Sequence, residues 1–493
     1  MAEILKVGYA VYPSVKMKTL TTDAKTQAKK LSFLKELLFG DFITPCLTKD
    51  GDYKRLTIES GSDKGDYIQV RCRNVTGYIK EKEMQAQRIL EVNFVDVGQG
   101  DSCHIVTPDD KHFLIDSGGS DNLYRFLKWR FNLATAKNPP PPFTVVISHS
   151  DSDHYKGFGK IFKKSEGTAQ QFTIKKIYHN GIIEAAGSGL ASLGNVATKD
   201  DVRYITGLCD DDEAFKNRIG EVKAGNYINL LKKTDAPKQA LCLGSEPIYD
   251  KDGLRMEVLA PVREEVDGES ALRVFSDMGK TKNGHSVVIK LTMGNVRMML
   301  GGDLNTVSEY NLIRHYGGVE IEPLLKELDK KSTGEERRQE IEKQVEDAIL
   351  KARETWEVDI AKSCHHGSDD FTVDFLRVLN PIATIVSSGD DEPYAHPRPE
   401  ALGAIGKFSR IDRPLIFSTE LARSGKEFVE LSANPSTAKK KERVVTYYGM
   451  INVRTDGEKV VIAQKLERIS GSKNWDIHTM VWNKKKGEFE TQG

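Results

Sequence analysis

Cysteine is scarce in this chain, and none of it is paired by spacing. Cys46, Cys72, Cys103, Cys209, Cys242 and Cys364 are scattered over 493 residues, which excludes a disulfide framework and leads us to expect free thiols in a reducing cytoplasm. An excess of one charge is missing too. Lys+Arg and Asp+Glu both total 72, so bulk attraction of nucleic acid gains no support, although a local basic path stays compatible with that average. No apolar run of about eighteen residues occurs, which removes the signature of a membrane-spanning helix. Met1-Ala2-Glu3-Ile4-Leu5-Lys6 lacks the cationic lead and long apolar stretch of a secretory signal. The expectation is a cytoplasmic protein without a membrane partner, long enough for two or three domains.

Against these absences one segment stands out. Val145-Val146-Ile147 reads as a short buried strand, and it runs into His149, Asp151, Asp153 and His154. Four potential ligands within six residues are unfavourable without a cation, because crowded carboxylates repel one another. Alternation along an extended chain puts His149 and Asp151 on one side, suited to a shared ion. Asp153 and His154 diverge, which suits a second ion. Two ions roughly 3.5–4 Å apart can clamp both oxygens of a displacement.

His149-x-Asp151-x-Asp153-His154 resembles the metallo-β-lactamase-fold signature His-x-His-x-Asp-His, with Asp151 in the second position. That variant is similar to the hydrolase domain of the ComEC competence proteins and their soluble relatives. Phe94 to Ser102 resembles the opening "DVGQGDS" strand and turn, and Leu114 to Gly118 the "LIDxG" segment. Asn283 to Val288 resembles the "N…S-V" strand, Gly301 to Leu304 "TGDL", His365 to Ser368 "HHGS", and Ala395 to Pro399 "GHPHP". The resemblance covers about residues 91–432. It implies an α+β fold, the four-layer αββα sandwich, and metal-dependent hydrolysis.

The residues agree with that implication. Asp303 follows Val296 to Leu300, His365 follows Val358 to Cys364, and His396 follows Ile382 to Val386. Each sits just past a strand-like stretch, where loops of neighbouring strands converge on one edge. Asp303 is expected to bridge two ions, and His396 to bind the ion held by Asp153 and His154. His365 or His366 is expected as a ligand or as proton donor to the leaving oxygen, so catalysis falls to Asp153, His365 and His366. Asp116 and Asp101 are expected behind the ligands, orienting them or shaping the turn. The third ligand of the first ion is open among Asn283, which the resemblance favours, His285 and His179. His104, His112, His315 and His478 have no supporting context, and Cys364 reads as a small buried residue. Oxygen from Asp151 hardens the first site, shifting preference from zinc toward manganese or magnesium, with zinc kept as an alternative.

Three segments are expected. Residues 1–87 form a small β-rich domain, whose Thr76 to Ile79 end resembles the closing strand of bacterial SH3-like modules. Residues 88–435 form the hydrolase, with insertions at about 160–282 and 305–357. Residues 436–493 extend its sheet, with Lys439 to Lys441 as a loop. Leu324 to Arg353 is dense in Glu, Lys and Arg at helical spacing and reads as a solvated helical pair. It and the N-terminal module are the places for a protein partner. By resemblance the substrate is a phosphodiester, a nucleic acid or nucleotide, hydrolysed by two-metal activation of water. The alternatives are a small anionic ester, or a sensor with a vestigial metal site.

Overall fold

The computed structural model describes residues 4–22, 29–133, 139–162, 172–389, 394–419 and 450–492, with 467–470 by backbone alone. The run Lys439 to Lys441 lies outside these residues. No helix among them is long and apolar enough to cross a membrane.

The chain forms two compact units, and they interleave along the sequence. One combines Met1–Asn93, Ile105–Asp110 and Ile451–Gly493; the other combines Phe94–His104 with Lys111–Met450. This replaces the consecutive division at 87 and 435. The reason lies in contacts that sequence spacing hides. Glu36 N donates to Asn474 Oδ1 at 3.1 Å and Asn474 N donates to Glu36 Oε2 at 2.9 Å. Buried Arg454 meets Glu91 at 3.2 Å and Asp41 at 3.3 Å.

In the first unit, antiparallel strands run in the order Lys29–Leu38, Ser14–Thr22, Val75–Ile79, Gly65–Cys72, Phe42–Pro45, Gly8–Ala10 and Met84–Gln85, with Arg55–Ile58 also pairing Gly65–Cys72. Side chains alternate across a strand, and Val15, Met17, Ile43, Ile68, Val70 and Ile79 meet in one apolar cluster. Ile451–Thr455, Lys459–Ser470, Lys473–Asn483 and Glu488–Gln492 form an antiparallel meander.

The second unit is built on two sheets. His112–Ile115, Phe143–Val146, Ile174–His179 and Lys238–Ala240 are parallel neighbours. The other sheet has seven strands in the order Tyr249–Lys251, Leu254–Ala260, Val288–Met293, Val296–Leu300, Ile360–Lys362, Ala383–Val386 and Leu415–Ser418, antiparallel first and parallel from Val296–Leu300 onward. The α+β class expected from the motif order holds.

Both expected insertions prove to contain framework. Within 160–282, Ile174–His179, Lys238–Ala240 and Leu254–Ala260 are sheet strands. Only the antiparallel set Asn195–Lys199, Val202–Thr206, Glu269–Arg273 and Glu264–Val266 stands apart. Within 305–357, helix Glu335–Trp356 is not a solvated arm. It buries Ile341, Val345, Ala348, Ile349, Ala352 and Trp356 against Met299, Phe375 and Val378. Those positions recur three or four apart, so one stripe faces the sheet while the charges face water.

Candidate metal centre

Strand ends deliver the site. Phe143–Val146 continues buried through Ile147 and Ser148 to His149, and the chain turns at Asp151 into the short helix Ser152–Tyr155, which carries Asp153 and His154. The His149 and His154 rings consequently lie 4.1 Å apart. Val296–Leu300 leads through Gly301 and Gly302 to Asp303, whose N–H donates to Ser286 Oγ at 3.0 Å. Gly302 holds φ 55°, and a Cβ there would lie 2.7 Å from Ser286, so this approach needs glycine. Ile360–Lys362 ends in His365 and His366, both left-handed at φ 47° and 54°. That conformation costs a non-glycine residue about 1–2 kcal/mol, an outlay concentrated where the two imidazoles are aimed.

Donor atoms converge on Asp303. Its Oδ2 lies 3.1 Å from His154 Nε2 and 3.1 Å from His366 Nε2, and His366 Nε2 lies 3.6 Å from Asp153 Oδ2. Neighbouring ligands around one ion, at the usual bond length to nitrogen, stand roughly 3.3 Å apart in a tetrahedron. His149 Nε2, His154 Nε2 and His366 Nε2 are all buried without a hydrogen-bond partner. Buried polar atoms are ordinarily satisfied, so these nitrogens fit a cation. Asp153–His154–His366 and His149–His154–Asp303 are both tight enough to hold one.

The electrostatics point the same way. Burial alone would depress His154, but the charges of Asp303 and Asp116 outweigh it and hold the imidazole well raised. Burial likewise opposes charge on His366, yet Asp303 and Asp101 raise it to about 10. Asp303 sits well below the ordinary carboxylate range because His154 and His366 more than offset its burial. The pocket therefore stabilises positive charge strongly.

Outer partners fix the rings. Asp116 accepts from Ser148 N at 2.7 Å and Ser148 Oγ at 2.6 Å, and its Oδ2 lies 2.8 Å from His154 Nδ1. Asp101 Oδ1 lies 3.1 Å from His366 Nδ1. Burial would raise the Asp101 carboxyl, but Lys362 and His366 bring it down to about 2. Lys362, absent from the sequence candidates, is buried. It pairs with Asp101, donates to Gly302 O at 2.8 Å and stands 3.7 Å from Asp303 Oδ1.

Asp151, Asn283 and His396 line the same cavity as Asp303 but stand outside the tightest donor groups among the described residues. His366, not His396, supplies the nitrogen grouped with Asp153 and His154. The His396 ring stands 6.2 Å from that of His366, 5.9 Å from that of His365, and stacks with Tyr394 at 5.8 Å. Asp151 Oδ2 is 3.7 Å from His149 Nε2, while Lys282 Nζ donates to its Oδ1. Asn283 turns its amide nitrogen to Asp151 Oδ2 at 2.7 Å. His179 Nδ1 accepts from Gly181 N at 3.0 Å, and His285 Nε2 donates to Arg273 O at 2.7 Å; neither joins a donor group among the described residues. Burial, with Arg263 and Lys238, lowers His179 to about 3. Burial pushes the Cys364 thiol up, which keeps it neutral. His104 and His112 hydrogen-bond to each other at 3.0 Å among Phe126, Phe131 and Phe143, a core role.

Above the donors lies a cavity of about 630 Å³, lined by Asp153, Asp303, His365, His396, Tyr394 and Arg398 among others. Tyr394 is 62% exposed at its mouth. Arg398 Nε has no hydrogen-bond partner among the described residues.

Comparison with known proteins adds three findings. Residues 97–338 match the model of the metallo-beta-lactamase superfamily. ComE operon protein 3 of Bacillus subtilis (strain 168) is 24% identical over 334 residues, an alignment covering 65% of this chain and 31% of that protein. The chain thus spans less than a third of that relative's length. A solved structure described as a metal-dependent hydrolase of the beta-lactamase superfamily is 12% identical, with a TM-score of 0.31, covering 67% of this chain and 95% of the other.

Proposed function

Since this chain carries a metallo-beta-lactamase superfamily domain, we propose that its donor centre is that of a metal-dependent hydrolase acting on a phosphodiester in a nucleic acid or nucleotide. The observation that carries this reading is the meeting of His154 and His366 on Asp303, with Asp153 beside His366, at the floor of a cavity that Arg398 also lines. A divalent ion held there supplies Lewis acidity toward a phosphoryl oxygen. Manganese or zinc suits the mixed nitrogen and carboxylate donors.

The chain's own groups supply the rest. Arg398 offers a planar fork of N–H donors, the geometry that matches phosphate. His365 and His396 line the cavity outside the donor set. Burial lowers the His365 imidazole, which suits it to accept the proton of an attacking water rather than to give one. His396, stacked with Tyr394, faces the same space and is placed to protonate a leaving oxygen. The preference for phosphodiesters rests on Arg398 in the cavity wall together with the resemblance to the competence-protein hydrolase domain.

The test is cleavage of labelled single- and double-stranded DNA and RNA, with bis(p-nitrophenyl) phosphate alongside, in Mn²⁺, Mg²⁺, Zn²⁺ or EDTA. We expect ion-dependent cleavage that is abolished in Asp303→Ala. Turnover of the small diester alone assigns a small anionic substrate. No cleavage of any of them, with ion bound, overturns the reading.

A further inference from the structure

Asp151 differs from the other acidic donors in what faces it. Both of its oxygens are already filled by N–H donors from adjacent residues at one helix end. Lys282 Nζ donates to Oδ1 and the Asn283 amide donates to Oδ2. Glu184 brings a second carboxylate to the same ammonium at 3.4 Å. The side chain of Lys282 is only 13% exposed, so it is committed to this position and not sampling solvent. At Asp303 the ammonium of Lys362 stands 3.7 Å from Oδ1 and leaves Oδ2 to the imidazoles, 3.1 Å from both His154 Nε2 and His366 Nε2. Correspondingly, Asp151 belongs to none of the donor groups compact enough for an ion.

We propose that the ammonium of Lys282 stands in for one of two metal ions, so that the chain binds a single catalytic ion at Asp153, His154, Asp303 and His366. This rests on reading the site as a hydrolytic metal centre, and it departs from the two-ion expectation raised by the His149–Asp151 alternation. A divalent ion bonded to Asp151 would sit against a buried cation on the same carboxylate. Like charges at such range in a poorly solvated pocket repel strongly, and each Asp151 oxygen already accepts an N–H. His149 then remains a buried imidazole beside His154, hydrogen-bonded through Nδ1 to Ser148 Oγ at 3.0 Å. The fixed charge of Lys282 supplies, without exchange or loss, part of the positive field that a first ion gives. Activity should therefore depend on ion concentration with a single binding event.

The test counts ions. The full-length chain is loaded with Mn²⁺ or Zn²⁺, dialysed free of excess, and measured by inductively coupled plasma mass spectrometry, with calorimetric titration giving the number of events. We expect one ion per chain in the wild type and in Lys282→Arg, none in Asp153→Ala, and a second, weaker event in Lys282→Ala. Two ions in the wild type overturn the proposal. One ion in both wild type and Lys282→Ala overturns the displacement by lysine. A wild type that binds no ion overturns the metal-centre reading as well. One bound ion with no ester cleaved leaves the count standing and removes only the proposed activity. If Lys282→Ala fails to fold, Lys282→Gln takes its place, and one ion there overturns the displacement by lysine.

Discussion

Asp116 Oδ2 lies 2.8 Å from His154 Nδ1, on the side of the ring opposite the nitrogen that faces Asp303. The carboxylate thereby dictates which nitrogen carries hydrogen and which offers a lone pair. Carboxylates behind ligand imidazoles typically contribute 10- to 100-fold in metal affinity. Asp116→Ala should lose affinity by about that factor while retaining the fold, read by competition of the bound ion against a chelator. Wild-type affinity in the variant would mean that packing alone orients His154.

Lys362 is the cation among buried carboxylates. Removing it as Lys362→Met strands Asp101 and weakens the setting of Asp303. Breaking a buried pair from one side costs about 3–5 kcal/mol, and urea unfolding should show a loss of that order. Lys362→Met combined with Asp101→Asn should recover part of it. Equal stability of wild type and single variant would show that water or an ion already compensates Asp101.

Glu309 predicts a pH dependence. It is buried on helix Thr306–Gly317 and accepts from Thr372 N at 2.5 Å. Burial raises its carboxyl to about 8, against the opposing hydrogen bonds from Thr372. The folded pKa exceeds the unfolded one, so the contribution is fully present below the ordinary value of 4.5 and is lost as pH rises toward about 8. Glu309→Gln keeps an acceptor for Thr372 and cannot ionise. Its thermal midpoint relative to wild type should therefore rise steadily between pH 5 and 8 and level off above. A constant difference across that range would show that Glu309 ionises freely in the fold.

Much of the candidate centre was legible because its donor residues follow strands. His149, His154, Asp303 and His366 each come just after an apolar run, and the period of such runs is local information. Lys282 and Lys362 were not legible in the same way. Their partners lie 131 and 261 positions away along the chain, at Asp151 and Asp101, and nothing local announces a pairing at that distance. One signal existed: Ile360-Ala361-Lys362 is a strand buried throughout, and a lysine inside such a run demands a counter-charge. The choice between His366 and His396 also turned on backbone geometry, since two consecutive left-handed histidines leave no pattern in the sequence. Framework strands inside 160–282 were masked by the length of the gap between motifs. Leu254, Met256 and Val258 do alternate with polar residues and mark a strand, but their partner Val288–Met293 lies beyond the segment's end.

The interleaved first unit has a consequence for synthesis on the ribosome. Glu36 and Arg454 find their partners only when Asn474 and the strand Ile451–Thr455 have been made. Residues 94 to 450 emerge in between, so the two parts of this unit are separated in time by most of the other. The strands between Gly8 and Gln85 pair with one another around their own apolar cluster, so that sheet can close early, and only its seams to Asn474 and Arg454 wait for the later segment.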